Sequence, residues 1–295
     1  MTTSWQETLI HLLALAARLE GEGQYNIAKL ARAAADALGR QAAWGLARPA
    51  GGADLAAETV QAADALASLD GDAELIAALR RGAAALAAGR VPLIEETPHP
   101  YVCRTCGHVT LAPPAAPCPT CGAWPDTYQR FMPIYWLDAL EPLAALEMLR
   151  QTPGEAAALL AGLSEADLHR TPQEGGWAMR NVVTHLRDAQ LVFAHRVELF
   201  QQEEHPLLEM KAVWTWAARE EERPPTTLEI FETYQTSRAA TLTTLERMPL
   251  THWWRSGQHQ EFGAVTLRQQ ASYFAAHERT HLPQLARLRA TFAGA

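Results

Sequence analysis

The chain has 295 residues and a formal net charge of −8, enough length for about two domains and a sizeable core. The acidic balance argues against an electrostatic nucleic-acid binder, whose phosphate contacts need clustered cations. No stretch approaches the roughly 20 apolar residues of a membrane span, and the opening Met1-Thr2-Thr3-Ser4 lacks the basic start of a secretory signal. The expectation is a cytoplasmic protein that binds neither membrane nor nucleic acid.

The composition predicts a mainly α fold in three parts: a small helical bundle over residues 1–92, a cysteine module over 93–132, and a four-helix bundle over 137–295. Residues 4–90 are rich in Ala and Leu, which favour helix. Ser4 caps a first helix to about Leu19, which Gly21 and Gly23 end. A second runs from Tyr25 to about Leu38, with Ile27, Leu30, Ala31, Ala34 and Leu38 in one apolar stripe. Asp54 to Leu69 and Asp72 to Ala88 read as two more, each opened by an acidic residue. Val91 to Pro100 holds three prolines and reads as a linker. Beyond the cysteines, helices are expected at Pro142 to Arg150 and Pro153 to Leu163, then at Asn181 to Gln201, Thr227 to Met248 and Leu267 to Phe292. The intervals 202–225 and 249–265 are polar and read as long connections.

Cys103, Cys106, Cys118 and Cys121 form two C-x-x-C units, each followed by glycine, with eleven residues between Cys106 and Cys118, and the chain has no other cysteine. Each unit aims two sulfurs at one point, and Gly107 and Gly122 permit the tight turn that follows. Two such knuckles close a four-sulfur cage for one zinc or iron ion. Two disulfides or four unrelated thiols are the competing readings, but thiolates set for a metal fit a reducing compartment.

The segments Pro100–Val109 and Pro117–Ala123 around these cysteines resemble the rubredoxin-like domain that ends rubrerythrins. In that family the cage holds iron and carries one electron, while zinc ribbons look nearly the same. Rubrerythrins also carry a helical di-iron domain built on Glu-x-x-His. Residues 1–90 contain no such motif, so peroxide or oxygen reduction of that kind is not expected.

His277-Glu278-Arg279-Thr280-His281 lies in the last helix. Phe274, His277, His281, Leu285 and Leu288 step by three or four, which puts both imidazoles on the inward stripe. One histidine there would read as a core residue; two at i and i+4 can grip one ion. His185 flanks the stripe Val182, Leu186, Ala189, Phe193 and Val197 and is the third candidate. Three neutral nitrogens leave positions open for water or substrate, the pattern of a catalytic metal. His-Glu-x-x-His is also the zinc-peptidase signature, with the glutamate as base. Such peptidases usually draw their third ligand from downstream, and the fourteen residues after His281 contain no His, Asp, Glu or Cys. The peptidase reading is therefore set aside.

From about Pro142 onward the chain resembles the DinB-like four-helix metal-binding family. The likeness rests on Gly175-Gly176-Trp177 before Val182-Val183-Thr184-His185-Leu186, on Phe262-Gly263 before Thr266-Leu267, and on His277 to Leu285. It implies a zinc, nickel or iron ion held by His185, His277 and His281. It further implies a thiol-dependent transferase or isomerase that joins a low-molecular-weight thiol to a small electrophilic substrate. Asp188 is a candidate to orient His185 from behind. Arg196, Glu278 and His259 are weaker catalytic candidates: Arg196 for an anionic substrate or a carboxylate, Glu278 behind the metal or facing solvent, and His259 reaching in from a loop. Trp177, Trp253 and Trp254 read as packing anchors. Two other classes stay open, an electron-transfer protein using the cysteine cage and a non-catalytic sensor module. A homodimer is compatible with the sequence.

Overall fold

A computed structural model describes residues 4–46, 54–133, 139–172, 175–209 and 225–293. The chain divides into two compact units, Met1–Arg90 with Pro100–Arg130, and Val91–His99 with Phe131–Ala295. Among the described residues no helix is long and apolar enough to cross a membrane.

The first unit begins with four helices. Helix α1 (Trp5–Gly21) opens on a capping box, in which the Ser4 side chain takes the Glu7 N–H and the Glu7 carboxylate takes the Ser4 N–H. It pairs with α2 (Tyr25–Leu46), and Arg32 of α2 donates two hydrogen bonds of 2.7 and 2.6 Å to Glu20 of α1. Helices α3 (Leu55–Ala67) and α4 (Ala73–Ala87) pair likewise, capped by Asp54 and Asp72. Their cores are made almost wholly of alanine: Ala16, Ala28, Ala31 and Ala35, then Ala63, Ala78, Ala83 and Ala85 around Ile76. The cysteine region forms an antiparallel sheet of order β2-β1-β3, from β1 (Tyr101–Cys103), β2 (Val109–Thr110) and β3 (Tyr128–Arg130). Tyr101 pairs with Thr110 on one side and Arg130 on the other.

In the second unit the four long helices are α5 (Pro142–Leu160), α7 (Met179–Gln202), α8 (Thr227–Arg247) and α9 (Leu267–Ala293), with the short α6 (Glu165–His169) between the first two. Helices α5 and α7 each pack against both α8 and α9, which closes a four-helix ring. Two apolar cores fill it, one around Leu149, Phe193, Phe200, Trp253 and Phe274, the other around Met179, Leu186, Tyr234 and Leu285.

Two expectations change here. Residues 142–160 form one helix with Pro153 inside it, not two helices. A proline there removes the N–H that would bond the carbonyl four residues back, and that carbonyl, Leu149 O, instead accepts from Arg238 Nη1 at 3.0 Å. The helix continues because a side chain from α8 replaces the missing donor. The interval before α9 holds strands β5 (Ser256–His259) and β6 (Gly263–Thr266), antiparallel to each other, with β4 (Leu207–Leu208) parallel to β5. Gly257 is needed in β5 because a Cβ there would stand 2.8 Å from the Pro206 carbonyl oxygen. The Pro-rich stretch 91–99 is tied to the β5–β6 turn, with Ile94 N donating to Gln260 O at 3.1 Å and His99 Nε2 lying 3.0 Å from Phe262 O.

Candidate metal centres

The two cysteine knuckles are built alike. Gly107 N donates to Cys103 O at 2.9 Å and Gly122 N to Cys118 O at 2.8 Å, and both glycines sit at left-handed φ, 81° and 74°. Side chains other than hydrogen are strained there, which explains the repeated glycine. The thiols are free, with Cys103 and Cys118 buried and Cys106 and Cys121 exposed. Sulfurs of Cys103 and Cys121 stand 3.7 Å apart and those of Cys106 and Cys118 3.6 Å apart. Four sulfurs about 2.3 Å from a central ion would stand about 3.8 Å apart, against about 2.05 Å in a disulfide. The geometry fits a tetrahedral cage. Burial pushes the Cys118 thiol up, but the Tyr128 hydroxyl and the N–H groups of Cys121 and Thr120 outweigh it and bring the pKa down to about 6. A thiolate is thus favoured at Cys118; at Cys121 the Ala123 N–H pulls the other way, but burial and the thiols of Cys106, Cys118 and Cys103 push it up to about 12.

In the four-helix ring, His185 comes from α7 and His277 and His281 from successive turns of α9. Their ligand nitrogens lie within 4.8 Å of one another. Nε2 of His277 is 3.1 Å from Nε2 of His185 and 3.3 Å from Nε2 of His281. Three nitrogens about 2.0–2.1 Å from a tetrahedral ion stand about 3.3 Å apart, so this set fits too. All three histidines of the set come from the second unit. Gln284 fixes one tautomer: its Oε1 lies 2.9 Å from His281 Nδ1, which holds the proton on Nδ1 and leaves the Nε2 lone pair toward the other rings. Burial, then the neighbouring His185 and His281, pulls the His277 pKa down to about 4, and burial chiefly lowers that of His185. Both rings are therefore neutral donors at ordinary pH.

Aromatic rings frame the cluster. Tyr273, one turn before His277, stacks on it with centroids 5.7 Å apart. Trp177 lies edge-on to His185 at 5.2 Å and parallel to His281 at 6.3 Å. It follows Gly175 and Gly176, whose φ values of 83° and 101° few other residues tolerate. Trp177 is half-exposed rather than a core anchor, Trp254 is also exposed, and Trp253 alone is fully buried.

The remaining candidates are placed away from the three nitrogens. Glu278 is buried and turned toward α8, where it pairs with Arg238 through both guanidinium nitrogens Nη1 and Nη2 and accepts the Tyr234 hydroxyl at 3.0 Å. Arg238 also donates to Gln190 Oε1 of α7 at 2.7 Å, so with Leu149 O it joins all four helices. Asp188 is paired with Arg187 at 2.8 Å and acts on His185 only as a nearby charge. Arg196 is buried against Gln270 and His259 rather than a carboxylate. His259 is 2% exposed on β5, not at the surface of a loop. Sequence reasoning passed over Tyr273, Gln284 and Arg238. The first two share the histidine stripe at spacings of four and three, a legible signal; Arg238 carries none.

Part of the chain is similar to known proteins. Residues 148–285 fit the model of the DinB superfamily. The DinB-like region thus takes in His185, His277 and His281 and most of the four-helix ring. Among solved structures, YfiT from Bacillus subtilis, described as a probable metal-dependent hydrolase with an unusual four-helix bundle topology, is 17% identical, with a TM-score of 0.46 over 55% of this chain and 94% of that one. No curated protein matches the chain.

Proposed function

We propose that the DinB-like bundle is a metal-dependent enzyme in which His185, His277 and His281 hold one divalent ion, and that it transfers a low-molecular-weight thiol to a small electrophile. The observation that carries this is the convergence of three Nε2 atoms at 3.1 and 3.3 Å, with one tautomer fixed by Gln284. Imidazole nitrogens suit zinc, nickel and iron alike. A bound ion would supply Lewis acidity, lowering the pKa of a thiol or water in its open positions. Among the described residues the ligand cluster includes no carboxylate oxygen. Peptidase-like hydrolysis needs such a base to take a proton from water, and Glu278 is engaged elsewhere. A thiol, which ionises by itself at about pH 8.5, needs none, and this supports the thiol reading.

Metal analysis of purified protein tests it. His281→Ala should remove one equivalent of divalent metal and leave the ion of the cysteine cage in place, and metal-dependent consumption of a thiol with an aryl halide should vanish. Unchanged metal content would reject the site; hydrolysis without thiol consumption would reject the transfer.

The exposure of Cys106 and Cys121 favours a second reading for the first unit, an iron ion exchanging electrons with a partner. A ferric four-sulfur site is red and a zinc site colourless, so absorbance decides between redox and structural roles.

A further inference from the structure

The stripes that carry the histidines continue to a second polar centre. Arg196 follows His185 by eleven residues on α7, and Gln270 precedes His277 by seven on α9. Arg196 is 6% exposed, Gln270 0% and His259 2%. The guanidinium donates from Nη1 to Gln270 Oε1 at 3.0 Å, and its Nη2 lies 2.9 Å from His259 Nε2. No described carboxylate pairs with it, and Glu261 acts on it only as a more distant charge. A buried cation without a bonded anion is costly.

The centre is also short of acceptors. His259 Nδ1 lies 3.1 Å from the Glu261 N–H nitrogen and 3.3 Å from that of Phe262, both donors. A neutral imidazole carries one proton. On Nε2 that proton faces the Arg196 donor; on Nδ1 it faces two backbone donors. Beyond this, Arg196 Nε and Gln270 Nε2 are buried and have no hydrogen-bond partner. Both orphans belong to the two side chains that share the Arg196–Gln270 hydrogen bond.

We propose that this centre is a subsite for the carboxylate of a small molecule, received by Arg196 Nε and Gln270 Nε2. A carboxylate brings acceptor oxygens and the single negative charge that one guanidinium lacks. Resting on the thiol-transfer reading, the thiol or its acceptor then spans the distance from the histidines to this anchor. Seven helical residues separate Gln270 from His277, about 10 Å, and Tyr273 stands between them, stacked on His277.

The test uses full-length protein with 15N-labelled histidine, titrated with acetate and separately with the neutral acetamide. Acetate should shift the His259 resonances saturably, and acetamide should not. Arg196→Met should abolish the acetate response, and Gln270→Leu should weaken it about tenfold, the loss of one charge-assisted hydrogen bond. Should R196M not fold, Q270L alone decides. The same titration on His281→Ala protein separates this subsite from the proposed ion site, because acetate binding should survive there even though metal is lost. An unsaturable acetate response, an equal response to acetamide, undiminished binding in Q270L, or binding that disappears in H281A would each overturn the proposal.

Discussion

Glu278 sits in a motif that elsewhere supplies a catalytic base, yet its carboxylate is spent on Arg238 and Tyr234. Arg238 and Glu278 are 1% and 0% exposed, so removing one leaves a charge stranded in the core. Glu278→Ala should destabilise the bundle by about 3–5 kcal/mol, read from urea unfolding, while the paired change Glu278→Leu with Arg238→Met should recover only part of it, because Leu149 O and Gln190 Oε1 then lose their donor. Acid should act through the imidazoles. Burial, then His185 and His281, holds His277 at about 4, and burial with Arg196 holds His259 at about 3; both titrate at about 6.5 when unfolded. Between those values the unfolded chain binds more protons, so the stability they contribute to the metal-free protein is complete above about pH 6.5. It declines as pH falls toward about 4. Urea midpoints at about pH 7.5 and about pH 5 should differ, and His277→Gln should narrow the difference; equal midpoints in wild-type protein would contradict it. At this scale the candidate clusters are legible in part, because i, i+4 histidines and doubled C-x-x-C are local patterns, whereas His185 reaches the pair from another helix. Arg238 is not, since its partners are a backbone carbonyl on α5 and side chains on α7 and α9, none of them near in sequence.

At the scale of elements, the long helices of the bundle are legible because their apolar spacing runs for several turns and their caps are ordinary ones, such as Thr226 with Glu229. The continuity of α5 through Pro153 is not legible, since it depends on a donor from another helix. Nor are β5 and β6: Ser256-Gly257-Gln258-His259 reads as a loop, and only the alternation of burial in the folded chain marks it as a strand. The cysteine sheet is so short that side-chain packing alone gives it little stability. Cys106→Ser should therefore release the cage ion and broaden the NMR signals of residues 101–130, leaving those of α5 to α9 unchanged. Loss of order in the bundle would show that the two are not separable.

Among the described residues, each compact unit carries one candidate ligand cluster. Their metal contents should be independent, so that C106S and H281A each lose one ion and the double variant both. The units differ in another respect. Alanine offers a single methyl to a core, and α1 to α4 bury little else, whereas α5 to α9 bury leucine, phenylalanine and tryptophan. At about 0.8 kcal/mol for each buried CH2, far less free energy resists the opening of the N-terminal helices. Amide protons of α1 to α4 should therefore exchange with deuterium through local opening while those of α7 and α9 wait for global unfolding, giving the chain two clocks that mass spectrometry can read separately.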